Sequence, residues 1–348
     1  MTEPTTDQAG RPLKLFFWAA HLVDGCFRYR VEMPAAELAR RGHEVAVNMA
    51  MPDAIIDTAD VVIGQRVHRS PPSVRWQLMA KRRDRYGSPR LVYEIDDDLL
   101  SIDPRQNIFA GPFRDPVIRE NIMDNMRCAD MVTVTTEPLA EMARRYNANV
   151  AVIPNCFDES IFDLSLPAYR GTRYVLTTLG WQGSPTHFED WKVIQPVVAE
   201  LAQADPALRV RFLGSVHPAG IPESQIDFLK WTNDLTTHYK RVTRFDVGLS
   251  PLNGTIFNEA KSGLRYEEYS ALGVPSVCSD VPAYRPWVVH GETGFLARTP
   301  AEWRRYLLDL INDPGLRLKI GDAARAAARA WTIQANGHRW EAAYRSLL

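Results

Sequence analysis

The sequence predicts an α/β protein with two doubly wound domains that face each other across a cleft. Apolar runs typical of buried strands alternate with helical segments, which indicates parallel sheets covered by helices on both faces. The pattern restarts once, after a stretch at residues 165–173 where Pro and Gly interrupt the periodicity. The 348 residues, 45% of them hydrophobic, are enough for two cores.

This pattern predicts three segments of the chain. We expect an N-terminal domain at residues 1–168, a second domain at residues 169–330, and a C-terminal helix at residues 331–348 that packs back toward the first domain. Ligands of doubly wound proteins bind beyond the carboxyl ends of the strands. We therefore expect the functional residues of both domains at those ends, facing the cleft.

The first domain opens with the run LKLFFWAA at residues 13–20, which is too continuously apolar for a half-exposed strand. A loop with Gly25 follows, and then a helix from residue 31 that ends at Gly42, a residue suited to a helix C-terminus. The other predicted elements are a strand from Glu44, strands at 59–66, 90–96, 129–136 and 149–155, and a helix around 116–128.

The second domain repeats this order of elements. Residues 174–183 form a strand that runs into a glycine-containing loop, and residues 190–204 form a helix. Further strands are predicted at 209–215, 245–252 and 273–279. The last segment of the chain has the apolar spacing of an amphipathic helix.

The composition excludes several classes of protein. A net charge of -1 gives no global electrostatic reason to expect nucleic acid or a membrane as partner. The four cysteines are scattered, which argues against a disulfide framework or a cysteine metal site. The N-terminus is polar, and no apolar run is long enough to predict a transmembrane segment. We expect a soluble cytoplasmic protein, and peripheral membrane contact stays open.

Three consecutive carboxylates follow the strand at 90–96 and allow three interpretations. Asp96, Asp97 and Asp98 could hold a divalent metal against a substrate phosphate. They could equally accept hydrogen bonds from a ligand with many hydroxyls, or only cap a turn.

Residues 257–280 contain the most informative pattern. A turn with Gly263 opens a helix, and the free N–H groups and positive dipole of a helix N-terminus suit phosphate. Lys261 and Arg265 flank that turn and can add charge-assisted contacts to a diphosphate. One turn further on, Glu267 and Glu268 can accept hydrogen bonds from vicinal hydroxyls, such as those of a ribose.

This segment resembles the donor site of the retaining glycosyltransferases of family four, which have the GT-B fold of two Rossmann-like domains. The family pattern is a Glu, a Gly-Phe-Gly-Leu-Pro-like turn, and a second Glu before Ala-x-x-Gly-x-Pro-Val-Val. Anchored on ALGVPSV, the second Glu falls on Glu268, which the resemblance implies holds the nucleotide ribose. Gly263 and Leu264 fall on the turn whose amides approach the diphosphate.

The resemblance departs from the family pattern at the first Glu, which falls on Ala260. Glu259 precedes it by one residue, and we keep Glu259 as a catalytic candidate that reaches the hydroxyls of the donor sugar, together with Lys261 and Arg265. Bacterial and phage-type members with an N-x-x-K-S segment, here residues 258–262, show a similar variation.

Four further segments resemble the family in the same order along the chain. They are YRVEMPAAELARRGHEVAV, VIPNCFD, LGWQGSPTHFED and HGETGFLA. In the third of these the resemblance implies that Gly183 and Ser184 lie near the diphosphate, with Thr186 and His187 close by. The tryptophans are expected mostly in the core, although Trp181 in this loop could border the nucleotide. A simple turn is the alternative for the glycine and serine, and a helix start is the alternative for His187.

The resemblance implies a glycosyltransferase that moves a sugar from a nucleotide-diphosphate donor, a UDP- or GDP-sugar, to a hydroxyl acceptor with retention of configuration. The donor is a co-substrate bound by the second domain, and no tightly bound cofactor and no metal are expected. The alternatives are a nucleotide-sugar epimerase of the same fold, a non-catalytic glycan- or nucleic-acid-binding relative, and a metal-dependent transferase of the other main glycosyltransferase fold.

The first domain is then the acceptor side. We expect Asp97 or Asp98 to orient acceptor hydroxyls and Asp96 to end the strand and cap the turn, which makes a metal site there unnecessary. His21 and Arg30 follow the first strand and are further acceptor-side candidates, although Arg30 could instead pair with a surface acid. The acceptor could be a glycan, a lipid-linked glycan, modified DNA or protein.

The basic run KRRDRYGSPR at residues 81–90 lies in the same domain. Such runs are usually solvated surface. Here it also suits an anionic acceptor, and DNA phosphates and anionic lipid headgroups fit it equally well.

Overall fold

The computed structural model describes residues 10–105, 107–108, 110–164, 166, 176–214, 216 and 218–348, and in it the chain forms two six-stranded sheets. All strand pairs within both sheets are parallel. The predicted α/β class with two doubly wound halves is therefore confirmed. The expected boundary between residues 168 and 169 lies outside the described residues.

The first sheet has its change of strand order next to its first strand. Its order is β2-β1-β3-β4-β5-β6, so the segments after β1 and β3 leave the sheet in opposite directions and open a crevice between them. The strands are β1 Lys14–Trp18, β2 Glu44–Asn48, β3 Val61–Gln65, β4 Arg90–Glu94, β5 Met131–Val134 and β6 Val150–Val152.

The second sheet has a different order, β12-β11-β10-β7-β8-β9. Its order reverses between β7 and β10, so the corresponding crevice lies after those two strands. The strands are β7 Thr177–Gly183, β8 Leu208–Gly214, β9 Ile226–Leu229, β10 Val247–Ser250, β11 Ser276–Ser279 and β12 Phe295–Ala297.

Helices cover both faces of each sheet. In the first half they are α1 Gly25–Phe27, a π-helical turn Arg28–Glu32, α2 Met33–Arg40, α3 Asp53–Thr58, α4 Pro72–Tyr86, α5 Pro116–Arg127 and α6 Glu137–Ala143. In the rest of the chain they are α7 Phe188–Trp191, α8 Gln195–Ala204, α9 Leu235–Val242, α10 Ile256–Glu259, α11 Leu264–Ala271, α12 Pro300–Asn312, α13 Pro314–Ala328 and α14 Ile333–Arg345. Short 3-10 turns occur at Gly111–Arg114, Glu159–Asp163, Pro185–His187, Glu223–Gln225 and Arg329–Trp331.

The end of the chain belongs to the core of the first half. Helix α14 packs on α2, and its Trp340 and Tyr344 are fully buried in the cluster that contains Phe17 and Val31. A separate cluster joins the halves, since Tyr29 lies among buried side chains of the second half such as Tyr239. No helix of the described residues is long and apolar enough to cross a membrane.

Several element predictions were wrong in detail. The loop expected around Gly25 is helical, because Asp24 caps a first turn that continues into the π-helical turn and α2. The strand predicted at 90–96 ends at Glu94, and a turn divides the helix predicted at 190–204 into α7 and α8. Strands β9 and β12 were not predicted; each is a short strand, one next to β8 and the other next to β11.

Candidate functional site

A cavity of about 540 Å³ lies between the carboxyl ends of the two sheets. The first half contributes the segment from Val23 to Tyr29 after β1, Arg66 after β3, and Asp96 and Asp97 after β4. The second half contributes the loop after β7, the loop before α9, and the turn that opens α11. The cavity therefore occupies the crevices of both sheets, where doubly wound folds bind ligands.

The acidic wall of the cavity is held by one arginine. The Arg66 side chain donates to Asp96 and, over 2.6 Å, to Asp97 Oδ2. Arg66 has a φ of 48°, a left-handed conformation that a non-glycine residue seldom adopts and that often occurs at functional sites. Burial alone would raise the pKa of Asp97, but Lys261 and Arg66 outweigh it and hold the pKa below its ordinary value.

Lys261 connects this acidic wall to the second half. Its Nζ lies 3.4 Å from Asp97 Oδ1 and 4.5 Å from the centroid of the Phe257 ring. Both oxygens of Asp97 therefore have a cationic partner, one from each half of the molecule.

Asp98 has a different role from its two neighbours. Its Oδ1 accepts from the backbone N–H groups of Leu100 and Ser101, both over 3.2 Å, and it does not line the cavity. It is Asp98, and not Asp96 as expected, that caps the turn after β4.

Three potential metal ligands lie close together in the first half. The ligand atoms of Cys26, Asp96 and Asp97 lie within 4.8 Å of one another, the one such group among the residues that the structure describes. The guanidinium of Arg66 already contacts both carboxylates, so a cation would have to compete with it. Burial, the largest effect, also raises the pKa of Cys26 well above the ordinary value, which disfavours the thiolate that binds metals.

The basic wall comes from the turn before α11. Lys261, Leu264 and Arg265 line the cavity, and the first N–H groups of a helix have no partner within the helix. Arg265 Nη1 donates to the carbonyl of Pro251 over 3.3 Å, and its guanidinium lies 5.7 Å from the centroid of the buried Trp181 ring.

Gly263, the predicted phosphate glycine, does not line the cavity. A Cβ at this position would lie 2.5 Å from Trp287 Cδ1. The glycine is therefore required by the packing of Trp287 behind the turn. Trp181 is likewise fully buried and lies behind Arg265, so it belongs to the core, as expected for most of the tryptophans, and does not line the cavity.

The two consecutive glutamates of α11 have opposite surroundings. Glu268 lines the cavity, and its carboxylate accepts from the Tyr29 hydroxyl and, over 2.7 Å, from Gln182 Nε2. Burial raises the pKa of Glu268 to about 7. Glu267 is fully buried away from the cavity, and neither of its oxygens has a hydrogen-bond partner among the described residues.

The surroundings of Glu267 favour its protonated form. Burial, and then the nearby charge of Glu268, raise its pKa well above the ordinary value. Glu267 is fully buried and faces away from the cavity, so it cannot accept from a ribose bound there. The pairing of both glutamates with one diol is therefore not supported.

The loop after β7 forms a fourth part of the wall. Gly183, Ser184, Thr186 and His187 line the cavity, and the hydroxyls of Ser184 and Thr186 are 2.6 Å apart. Gly183 is constrained by its own neighbour, since a Cβ there would lie 2.6 Å from Trp181 Cζ2.

His187 is held by a buried aspartate. Its Nδ1 lies 2.7 Å from Asp190 Oδ2, while Asp190 Oδ1 accepts from Asn258 Nδ2 over 2.6 Å and from the backbone of Asn253 over 3.0 Å. Burial and, next, the charge of Arg265 lower the pKa of His187 to about 4. A neutral His187 that donates from Nδ1 has its Nε2 as a hydrogen-bond acceptor.

Besides Asp98, Gly263 and Glu267, three further predicted site residues do not line the cavity. Glu259 ends the short helix α10 with an exposed side chain, and His21 is exposed as well. Arg30 is fully buried, because its Nε and Nη2 donate to Glu94 over 2.7 and 3.1 Å and its Nη1 donates to the carbonyl of Ile153 over 2.7 Å. Arg30 is therefore a structural residue rather than an acceptor contact or a surface ion pair.

The basic run at 81–90 is largely neutralised. Ion pairs join Arg82 to Asp57, Arg83 to Asp84 and Asp130, and Arg90 to Asp130. Lys81 and Arg85 are exposed and form no ion pair with a described residue. The positive charge left for an anionic acceptor is therefore small.

The cavity also contains residues that sequence reasoning did not single out. Arg66, Tyr29, Gln182, Trp231 and Asn233 line it. The positions of Arg66 and Gln182 at the ends of predicted strands were the available signal. No pattern marks Trp231, although its side chain is 48% exposed on the cavity wall.

The fold is shared with several solved glycosyltransferase structures. One is sucrose-phosphate synthase from Thermosynechococcus elongatus, at 15% identity over 96% of this chain and 98% of that chain, with a TM-score of 0.66. A second is HepE from Anabaena in complex with UDP-glucose, at 16% identity over 97% and 100%, with a TM-score of 0.67. A third is a glycosyltransferase from Rickettsia africae, at 11% identity over 97% and 99%, with a TM-score of 0.67.

These likenesses concern the fold. At such low identities they show that the chain has the GT-B architecture of two Rossmann-like domains, as the resemblance of the sequence motifs implied. No family model and no curated protein sequence matches the chain.

Proposed function

We propose that this protein is a glycosyltransferase that moves a sugar from a nucleotide-diphosphate donor to a hydroxyl acceptor, as in the retaining enzymes of family four. The observation that carries the proposal is the basic wall of the cavity. Lys261, Arg265 and the N-terminus of α11 meet there, and no carboxylate of the second half lies within ion-pairing distance of either side chain among the described residues. Such an arrangement suits a diphosphate.

The proposed donor site follows from the lining of the cavity. The diphosphate lies against Lys261, Arg265, the amides at Leu264, and the loop of Gly183 and Ser184. Glu268 accepts hydrogen bonds from the ribose hydroxyls. UDP and UDP-glucose are bound in structures of HepE, which share the fold of this chain, so UDP-sugars are the first donors to test and GDP-sugars the second.

The base and the sugar have separate proposed contacts. The indole of Trp231 is half-exposed on the wall and offers an aromatic face on which a nucleobase can stack. The Nε2 of His187, as an acceptor, suits a sugar hydroxyl better than a phosphate oxygen, because a phosphate offers no proton to it. His187 is therefore proposed at the sugar end of the donor, next to Arg265.

The proposed reaction breaks the bond between the anomeric carbon and the diphosphate oxygen and forms a bond from the acceptor oxygen to the same face of that carbon. The departing diphosphate oxygen takes the proton of the acceptor hydroxyl, and the configuration is retained. Lys261 and Arg265 stabilise the charge that builds up on the diphosphate. This role for the two cations makes a metal unnecessary for the leaving group.

The acceptor is proposed to enter along the first half. Asp97 stays ionised because Arg66 and Lys261 hold its pKa down, so it can accept a hydrogen bond from the acceptor hydroxyl but is a poor base. It would orient the attacking oxygen beside the same Lys261 that contacts the leaving group. A hydroxyl-bearing acceptor is the class we propose, with glycan, lipid-linked glycan, modified DNA and protein as its members.

The test is a panel of UDP- and GDP-sugars in a thermal-shift assay, followed by acceptor screening with the donor that stabilises the protein most. We expect release of nucleoside diphosphate that depends strictly on an acceptor and that continues in the presence of EDTA. Isomerised donor without acceptor would indicate an epimerase instead. Donor binding with no release under any acceptor would indicate a non-catalytic relative, and activity abolished by EDTA and restored by Mg²⁺ would overturn metal independence.

A further inference from the structure

A buried hydrogen-bond chain crosses the cleft at Glu268. The hydroxyl of Tyr29, from the first half, donates to Glu268 Oε1, and Gln182 Nε2 donates to Oε2 over 2.7 Å. The hydroxyls of Tyr29 and Tyr239 are 3.0 Å apart. Because a hydroxyl has one proton and Tyr29 gives it to Glu268, Tyr239 must donate to the oxygen of Tyr29.

The Glu268 carboxylate in this hydrogen-bond chain can accept two further hydrogen bonds. An ionised carboxylate has about four lone-pair sites, two on each oxygen. Tyr29 and Gln182 each use one site, on different oxygens, so one site remains on each. Gln182 also lines the cavity, and its buried Oε1 has no hydrogen-bond partner among the described residues. The site therefore has unfilled acceptors for a pair of neighbouring hydroxyls.

Tyr29 is held in place by the first half and by contacts to the second. It lies in the π-helical turn Arg28–Glu32, and such turns are frequent at functional sites. Its neighbour Arg28 donates through Nη2 to the carbonyl of Asn233 over 2.8 Å, in the loop before α9. The ring of Tyr29 packs in the cluster that joins both halves.

We propose that Tyr29 is a positioning residue for the nucleotide: it fixes the Glu268 carboxylate so that the remaining lone pairs take the 2′- and 3′-hydroxyls of a ribose. The protein should therefore prefer ribonucleoside diphosphates to their 2′-deoxy counterparts, and that preference should depend on a residue of the acceptor half. The inference rests on the nucleotide-sugar function proposed above and specifies the donor class.

The experiment compares Tyr29→Phe with Tyr344→Phe by calorimetric titration of UDP and GDP and of the 2′-deoxy form of whichever binds. Tyr344 is a matched control because it is equally buried in the first half, and its hydroxyl has no hydrogen-bond partner among the described residues. In the unaltered protein and in Y344F we expect at least about a tenfold preference for the ribonucleotide. In Y29F we expect that preference to fall below about threefold, mostly through weaker ribonucleotide binding.

The pH profile separates positioning from a loss of packing. The hydrogen bond from Tyr29 opposes the effect of burial on the pKa of Glu268, as do Gln182 and Arg265. The loss of this hydrogen bond in Y29F should raise the pKa of Glu268. As the pH is lowered, ribonucleotide affinity should therefore begin to fall at a higher pH in Y29F than in the unaltered protein. The 2′-deoxy ligand should show a smaller change.

The outcomes distinguish this inference from the proposed function. Equal binding of the two ligands by the unaltered protein, or an unchanged preference and pH profile in Y29F, would overturn the role of Tyr29 while leaving nucleotide binding intact. Failure of the unaltered protein to bind any nucleoside diphosphate would overturn both. If Y29F does not fold, Tyr239→Phe tests the same chain, and a reduced ribose preference supports the role whereas an unchanged one contradicts it.

Discussion

The two halves of the molecule share six-stranded parallel architecture, but the charged side chains at their strand ends are paired in opposite ways. In the first half the acids are in excess, since three carboxylates are paired with two arginines. Arg66 holds Asp96 and Asp97, and Arg30 holds Glu94 in a pair with side chains 0% and 1% exposed. Such a wall can position polar groups but does not suit an anionic ligand.

In the second half, the two cations of the cavity wall have no acidic partner within that half among the described residues. Lys261 has its one ion pair among the described residues with Asp97 of the opposite half, and Arg265 contacts a carbonyl and an aromatic ring. The same architecture therefore has an anion-binding edge in one half and an acidic edge in the other. The pairing of the charges, more than the fold, assigns donor and acceptor to the two halves in our proposal.

The largest expected effect tests the anion-binding edge of the second half. Lys261→Ala should lower kcat by roughly 10²- to 10³-fold, because the cation that stabilises charge on the leaving diphosphate is lost. The affinity for the nucleotide-sugar donor should change much less. Steady-state kinetics with the best donor and acceptor measures both. Lys240→Ala, at an exposed lysine of α9 outside the cavity, is the matched control. An unaltered kcat in K261A would contradict the proposed role.

A second change compares two neighbours on one helix. Glu268→Gln should weaken donor binding by about 1–3 kcal/mol, because Tyr29 and Gln182 lose the charged partner that they share. Glu267→Gln should leave donor affinity unchanged, since Glu267 does not line the cavity. Calorimetric titration of both variants with the donor measures the two affinities. Equal weakening in the two variants would mean that the effect is structural.

Glu267 has a predicted effect on stability instead. The pKa of this acid is raised in the folded protein, so the unfolded chain releases the proton at a lower pH than the folded one. Stability should therefore fall as the pH rises above the ordinary pKa of glutamate, by up to about 1.4 kcal/mol per pH unit until the folded group ionises. In urea unfolding at pH 5 to 8, the free energy of unfolding of Glu267→Gln should decline less steeply with rising pH than that of the unaltered protein. If the free energy of unfolding depends on pH equally in both proteins, the prediction of a buried acid at residue 267 is wrong.

The smallest expected effects separate two neighbours on the acidic wall. Asp97→Ala should lower kcat/KM for the acceptor by roughly tenfold with little change in stability, because a charged hydrogen-bond acceptor is removed. Asp98→Ala should instead lower the free energy of unfolding by about 1 kcal/mol, because two backbone N–H groups lose their cap. If Asp98→Ala lowers kcat/KM for the acceptor and Asp97→Ala lowers only the free energy of unfolding, Asp98 would be the acceptor contact. Denaturant titration and acceptor kinetics on both variants are sufficient.

Much of the fold could be predicted from the sequence. The continuous apolar runs at β1, β3 and β4 have no alternation, which requires a sheet buried on both faces and hence parallel strands. The short β9 and β12 could not be found in this way, because each is stabilised by its neighbouring strand rather than by its own pattern.

The candidate site was predictable only in part. Lys261, Arg265, Glu268 and the loop of Gly183 lie on the cavity wall because a turn at the start of a helix and the end of a strand have a defined direction in this fold. Glu267 and Gly263 belong to the same segment but face the protein interior. One residue along a helix rotates the side chain by about 100°, so local sequence alone did not assign the facing side.

The sequence by itself determined the two doubly wound halves and the segment that contains the basic wall, because apolar periodicity and helix starts are local properties. Only the tertiary structure decided that Arg30 is buried against Glu94, that Arg66 holds the acidic wall, and that Lys261 and Tyr29 reach across the cleft. These contacts join residues 30 to 239 positions apart. Long-range packing alone brings such partners together.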